Sequence, residues 1–489
     1  MRITFIYFFL LFLLFCSGCT EAVKVSRFED TLPEIYPDYK DVTVPVNIAP
    51  LNFKLTSDHT AACILIRMDD EVETIHERNG QFTIPPSYWK TLLRKSEERS
   101  VEIMVCVKEG GEWVGLQSFL IHVSEDPADP YIAYRLIEPG YVLWNEMGIY
   151  QRNIENYTES AIIENKMTGK NCMNCHSFPN RNPHKMLFHM RGKLASTVLV
   201  DGNKVEKLNT KTEQTISSLV YPSWHPSEKY IAFSVNDTKQ GFHTHDKNLI
   251  EVYDNKSDVV IYDVEKHEIF TAPQLFSEAA FESFPTFSPD GETLYFCTSD
   301  SCSMPGDYEQ VKYSLCALSF DPHTRKFGDY VDTLFNAREE GKSVSFPRVS
   351  PDGKFILYGK ANYGGFLIWH KEADLHMYSL LTGEHYPLEK ANSPDAESYH
   401  SWSSNSRWIT FVSRRMDGLY SRIYMAHVDK NGRCGKAFLL PQKDVDFYDK
   451  FVKSYNIPEF VSGKVENQSY HIVDEVKKNS GINLNFVKQ

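Results

Sequence analysis

No stretch of this 489-residue chain is long and apolar enough to cross a bilayer as a helix. The longest apolar run, Ile3 to Phe15, falls short of the roughly 20 residues that hydrocarbon requires. Basic residues form no block and the formal net charge is −13, which argues against a nucleic-acid partner. There is no Gly-x-Ser-x-Gly elbow, no Gly-rich phosphate loop and no His-Glu-x-x-His helix. Hydrolase and transferase readings therefore lack a nucleophile or metal signature, and an enzyme is not the expectation. No second closely spaced Cys/His pair accompanies the single Cys-x-x-Cys, which removes the usual zinc ligand set.

What is present begins at the N-terminus. Met1 and Arg2 precede the short apolar run, the arrangement of a secretory signal. Ser17 and Gly18 directly before Cys19 resemble the lipobox of bacterial lipoproteins, with Cys16 in the place of the usual Leu. That resemblance implies cleavage after Gly18, a lipid on Cys19 and a membrane tether for the rest of the chain. Thr20 after the lipidated cysteine, by likeness to lipoprotein sorting rules, favours the outer membrane, with the chain facing the periplasm or the surface.

The length suggests two or three domains, fewer if one is a large β-repeat. Aromatics reach 13%, and 24 Pro and 25 Gly are scattered throughout, the composition of many short strands joined by turns. After Cys16, Cys19, Cys172 and Cys175 are set aside, Cys63, Cys106, Cys297, Cys302, Cys316 and Cys434 remain. Outside the cytoplasm such an even remainder permits disulfides without fixing their pairing. Cys63 and Cys106 each sit in a strand-like run and are either bridged or two buried thiols.

One short pattern recurs: YPSWHPSEKYIAF from Tyr221, FPTFSPDGETLYF from Phe284, FPRVSPDGKFILYG from Phe346 and YHSWSSNSRWITFVS from Tyr399. Each reads as a strand, a tight turn and a second strand. Trp224, Phe287, Val349 and Trp402 recur about 50 to 60 residues apart, the content of a four-stranded propeller blade and a loop. A weaker copy from Ser177 puts Phe178 in the same position. The repeat resembles that of TolB-type β-propellers, which implies an all-β ring; five blades are visible and six are expected.

Cys172-Met173-Asn174-Cys175-His176 is the Cys-x-x-Cys-His signature of c-type haem attachment. Two thiols at this spacing add to the two vinyl groups of one porphyrin, and the imidazole becomes the proximal iron ligand. The expectation is one covalent haem c on Cys172, Cys175 and His176. Candidates for the far face of the iron are Met167, His184, Met186, His189 and Met190, with His189 preferred. A simple Cys172–Cys175 disulfide, a redox dithiol or a metal site are the competing readings. Gly241 to His245, with two imidazoles, and the pair His370 and His376 read as surface features.

The expected division is a signal peptide (1–18), a tether (19–40), a small β-sandwich-like domain (41–125), a connecting segment (126–170), the propeller (171–442) and a partly helical tail (443–489). In the connecting segment, Tyr131, Tyr134, Leu136, Tyr141 and Trp144 are expected to pack onto a neighbouring domain. The arrangement also resembles a group of exported Bacteroidetes-type proteins sharing the motif spanned by Asn171 to Phe178, a group whose function is poorly defined. The resulting expectation is an anchored monohaem protein that exchanges electrons with, or senses redox state for, an envelope partner. The alternative is a haem-free propeller that binds a protein or a glycan.

Overall fold

The computed structural model describes residues 23–138, 145–478 and 480–488. The expected signal peptide, Cys19, Tyr141 and Trp144 lie outside them.

The repeat builds blades for a reason visible in its turn. In Ser288-Pro289-Asp290-Gly291 the Ser288 hydroxyl bonds the Asp290 carboxylate and accepts the Thr293 N–H at 3.0 Å. Gly291 takes φ +80°, and a Cβ there would lie 2.1 Å from Nε2 of His225. The copy without Pro-Asp-Gly keeps the chemistry: Ser403 bonds Asn405 at 2.6 Å and accepts the Trp408 N–H at 3.0 Å. Strand, turn and strand are thus fixed locally, and the apolar residues of the two strands then pack against the next blade.

Six four-stranded units form the ring. Blade one begins with Cys172–Ser177, blade two with Leu219–Trp224, blade three with Ala280–Phe287, blade four with Ser343–Val349 and blade five with Glu397–Trp402. Blade six draws on both ends of the chain. Its outer three strands are Tyr131–Ile137, Met147–Asn153 and Glu159–Glu164, and its innermost strand, Ser454–Val461, pairs antiparallel with the first of them. The expected connecting segment and tail are therefore the closing blade, and the ring spans more chain than 171–442. Beyond it, the helix Ser469–Lys478 packs on blade one, and Ile482–Asn483 and Asn485–Phe486 pair in parallel with the outer strands of blades one and two, covering both edges.

The N-terminal domain is a seven-stranded twisted sheet in which Ser100–Glu109 pairs with Ala62–Met68 on one side and with Glu112–Gly115 and Phe119–Ser124 on the other. A two-stranded piece, Ile35–Tyr36 with Lys54–Leu55, and the helix Pro86–Lys95 complete it. That helix starts with Pro at its first turn and buries Trp89, Leu92 and Leu93. The domain begins earlier than expected, because Val25–Phe28, assigned to a tether, pairs with Glu112–Gly115. One apolar cluster runs from its core into blades four, five and six. Asp129 accepts both the N–H and the hydroxyl of Ser404, so the domain is fastened to the turn of blade five.

Candidate functional site: a vestibule at the hub

Every inner strand carries a bulge at the same place, and the bulged residue has positive φ: Cys175 (+53°), Tyr221 (+51°), Phe284 (+53°), Phe346 (+53°), Tyr399 (+49°) and Ile457 (+51°). Non-glycine residues pay about 1–2 kcal/mol for this conformation, so six in one ring mark a backbone held by its surroundings. The bulge re-aims these side chains toward the axis. There the aromatic rings pack against one another: Phe284 on Phe346 at 4.2 Å, Tyr221 on Phe284 at 5.1 Å and Phe346 on Tyr399 at 5.3 Å. Phe366, from the insertion after the second strand of blade four, adds a further ring over Tyr221 and Phe284. Together they plug the hub.

Against this plug lies a cavity of about 360 Å³ that extends toward the turn side of the ring and is walled by inner strands from all six blades. Its size is at the lower end of the range for small-molecule sites. The residue two after the bulge is Ser177, Ser223, Thr286 and Ser401 in four blades, but Arg348 and Glu459 in blades four and six. Arg181 joins them from the turn after the first strand of blade one. Its Nε donates to the carbonyl of Trp402 at 2.9 Å, and its own carbonyl accepts from the N–H and the hydroxyl of Ser462. Asn180 and Arg181 both have positive φ, so this turn too is held against its preference. Arg348 donates through Nη1 to the carbonyl of Pro347 at 2.9 Å. Burial draws both guanidinium pKa values down, and Glu459, whose Oε1 accepts the Phe178 N–H at 3.1 Å, is pushed up to about 7 mainly by burial.

The haem signature falls on this wall. Cys172–Ser177 is the inner strand of blade one, with Cys175 at the bulge and His176 at the position that is Pro222, Pro285, Pro347 and Pro458 in four other blades. Cys175 lines the cavity, whereas Cys172 is packed with Met147, Ile163 and Phe188 between blades one and six. The His176 ring is buried beside the main chain of Ala133 and Ile457 in blade six; desolvation lowers its pKa to about 4, and neither ring nitrogen meets hydrogen-bond geometry. His189 sits on the other face of blade one, toward blade two, where its Nδ1 is 3.2 Å from the Thr197 hydroxyl and burial holds its pKa near 3. Met186 and Met190 are consumed in the packing between blades one and six, and His184 is exposed.

These residues do not fit covalent haem as they are placed. The two thiols do not open into one space, and His176 and His189 lie on opposite faces of a sheet, so no iron can be bound between them. The expected ligand His189 is corrected on that ground. Among the described residues no group of three or more His, Cys, Asp or Glu gathers to hold a metal, and no cysteines are bridged. Cys63 and Cys106 are direct partners in adjacent strands, both fully buried. His370 is not the surface feature expected; it is buried with its Nε2 3.1 Å from Glu251.

Arg181, Arg348 and Glu459 escaped the sequence reading. A signal existed for two of them: in the aligned inner strands they are the charged residues at a position otherwise Ser or Thr.

The fold and the hub define a six-bladed β-propeller with a plugged central channel. No family model matches the chain, and no curated protein does. Among solved structures it is similar to a DUF4784 family protein from Bacteroides caccae, with 9% identity over 73% of this chain and 95% of that one and a TM-score of 0.30. It is also similar to a puromycin-hydrolysing peptidase from Mycobacterium tuberculosis (11% identity, 82% of this chain, 57% of that one, TM-score 0.36) and to an oligogalacturonate lyase solved with manganese (11%, 78%, 99%, 0.33). Likeness at this level carries no argument about fold or activity.

Proposed function

We propose that the protein is a lipid-anchored envelope protein whose propeller is a binding module, taking up a ligand in the vestibule without haem. The observation that carries this is the vestibule itself: a cavity of about 360 Å³ at the hub, with strained backbone on its wall and polar side chains facing it. Catalysis has less support. Burial raises the Cys175 pKa, and the neighbouring His176 accepts no hydrogen bond from it, so no activated nucleophile is assembled. The lipid on Cys19 and an envelope location follow from the N-terminal sequence.

The test is a thermal-shift screen of a small-molecule panel on the whole chain beside Ser401→Trp and Thr286→Trp, which fill the vestibule from two different blades. Ligands that stabilise the parent and not the filled variants support the reading. Ligands that stabilise all three alike sink it.

Covalent haem is the alternative, favoured by the Cys-x-x-Cys-His spacing and by the partnerless His176 nitrogens. It requires the inner strand of blade one to rearrange on loading. A pyridine haemochrome band that survives acid-acetone extraction, and is lost in Cys172→Ala with Cys175→Ala, would establish it.

A further inference from the structure

We infer that the vestibule recognises a carboxylate, through the guanidinium groups of Arg181 and Arg348 on its wall, on a ligand about the size of one sugar or amino-acid unit. The inference rests on the vestibule being the ligand site and adds the chemistry of what enters it.

Charge comes first. The chain as a whole carries −13, yet the charged side chains lining this cavity are two arginines and one glutamate. The histidines on the same wall add nothing at neutral pH, since burial holds His176 near 4 and His400 near 3. The cavity lining thus carries more positive than negative side chains in a negative protein, on a poorly solvated wall where a charge-assisted hydrogen bond is strongest.

The partners of the two arginines come second. Among the described residues neither makes an ion pair. Each donates to a main-chain carbonyl, Trp402 for Arg181 and Pro347 for Arg348, and those bonds fix the side chains without neutralising them. Glu459 is close enough for its charge to be felt by both, and Asp129, outside the lining, for its charge to be felt by Arg181, but the Glu459 Oε1 is directed to the Phe178 N–H and the Asp129 carboxylate to the N–H and hydroxyl of Ser404. A guanidinium offers five donors in a planar fork, so donors remain on both after these bonds.

Placement comes third. Arg181 is carried on a turn with two consecutive non-glycine residues at positive φ, clamped by Ser462, and Arg348 replaces the Ser or Thr found in four of the other blades. Both arginines are therefore presented to the same cavity from fixed positions.

The experiment is isothermal titration calorimetry on the whole chain with two matched pairs, D-glucuronate beside D-glucose and N-acetylglycine beside N-acetylglycinamide. The first pair reports a sugar acid and the second an amino-acid carboxylate. The expected result is millimolar or tighter binding of at least one acid and none of its neutral twin. Arg348→Ala should weaken that binding roughly tenfold or more, Arg348→Lys less, and Glu459→Gln should tighten it. Acid and neutral twin binding alike, lost in Ser401→Trp but unchanged in Arg348→Ala, would overturn the carboxylate while leaving the vestibule as the site. Binding that survives Ser401→Trp would show that the vestibule reading itself is wrong. No binding of either acid overturns the carboxylate inference.

Discussion

Blade three and blade six reach the same geometry by different routes. Blade three is one continuous stretch, its inner strand tied to the next by Ser288-Pro289-Asp290-Gly291. Blade six has the same bulge, with Ile457 at +51° followed by Pro458, but its inner strand comes from one end of the chain and its other three strands from the other. The shared part is the inner strand; the turn is what continuity adds. A blade read from its turn is therefore a blade whose first two strands are consecutive, and the closing blade has no such turn to read.

The sharpest way to break the comparison is to shorten the chain. Ending it at Asp444 removes Ser454–Val461, with Tyr455, Phe460 and Val461 fully buried, and leaves the inner edge of blade six unpaired. Cooperative folding should be lost, since the missing contacts rival a whole domain's margin of about 5–15 kcal/mol. Ending it at Lys464 keeps the strand, and a single unfolding transition in urea should persist at lower midpoint.

Within the continuous blades the turn itself can be stressed. Gly291→Ala puts a methyl group 2.1 Å from the His225 ring, whereas at Gly353 the nearest neighbour, Pro289, is 4.0 Å from the added carbon. Both substitutions strain a positive φ, so both destabilise, by about 1 kcal/mol at Gly353 and about 3 kcal/mol at Gly291 in denaturant unfolding.

Acidity sharpens the picture of the hub and its surroundings. Glu459 and Glu397 are pushed up to about 7, Glu282 to about 8, and Asp254 and Asp258 to about 6, all led by burial. The folded chain keeps protons there that the unfolded chain has released, so this stability is full below the ordinary carboxyl range and is lost progressively as pH rises from about 4 through the folded values of 6 to 8. His176, His189, His376 and His400, lowered to between about 3 and 4, act with the opposite sign: their contribution is present above 6.5 and lost as pH falls below it. The two sets oppose each other between about pH 4.5 and 6.5, so the melting temperature should be nearly level there and decline on both sides, and Glu282→Gln should flatten the alkaline limb.

The smallest effect separates two histidines at equivalent positions. In blade five, His400 Nε2 bonds the carbonyls of Phe346 at 2.7 Å and Leu357 at 3.0 Å, while in blade one His176 has no such partner. His400→Ala should cost about 1–3 kcal/mol and His176→Ala distinctly less by thermal unfolding.

Much of the ring was legible, because Pro-Asp-Gly turns and alternating strands are local features that the sequence carries openly. The sixth blade was anticipated only as a number, since its strands at 131–164 and 454–461 become neighbours through closure. The vestibule was harder. Cys172, Cys175 and His176 read as one motif because they are adjacent in sequence, yet a bulged strand sends Cys175 to the axis and leaves Cys172 between blades. Arg181 could not be found from the repeat, because it stands in a turn that departs from it. Arg348 and Glu459 could have been, by aligning the second residue after each bulge.

The composite blade also orders events in time. The strand that seals the ring is made after the other five blades, so while the chain is being synthesised Ile132 waits for Phe460 as an exposed partner without a mate. Five blades then stand beside one unfinished edge, an unpaired strand open to wrong partners, until Ser454–Val461 arrives. Assembly of this propeller is then governed less by how quickly its blades form than by how long the seam is kept from pairing with anything else.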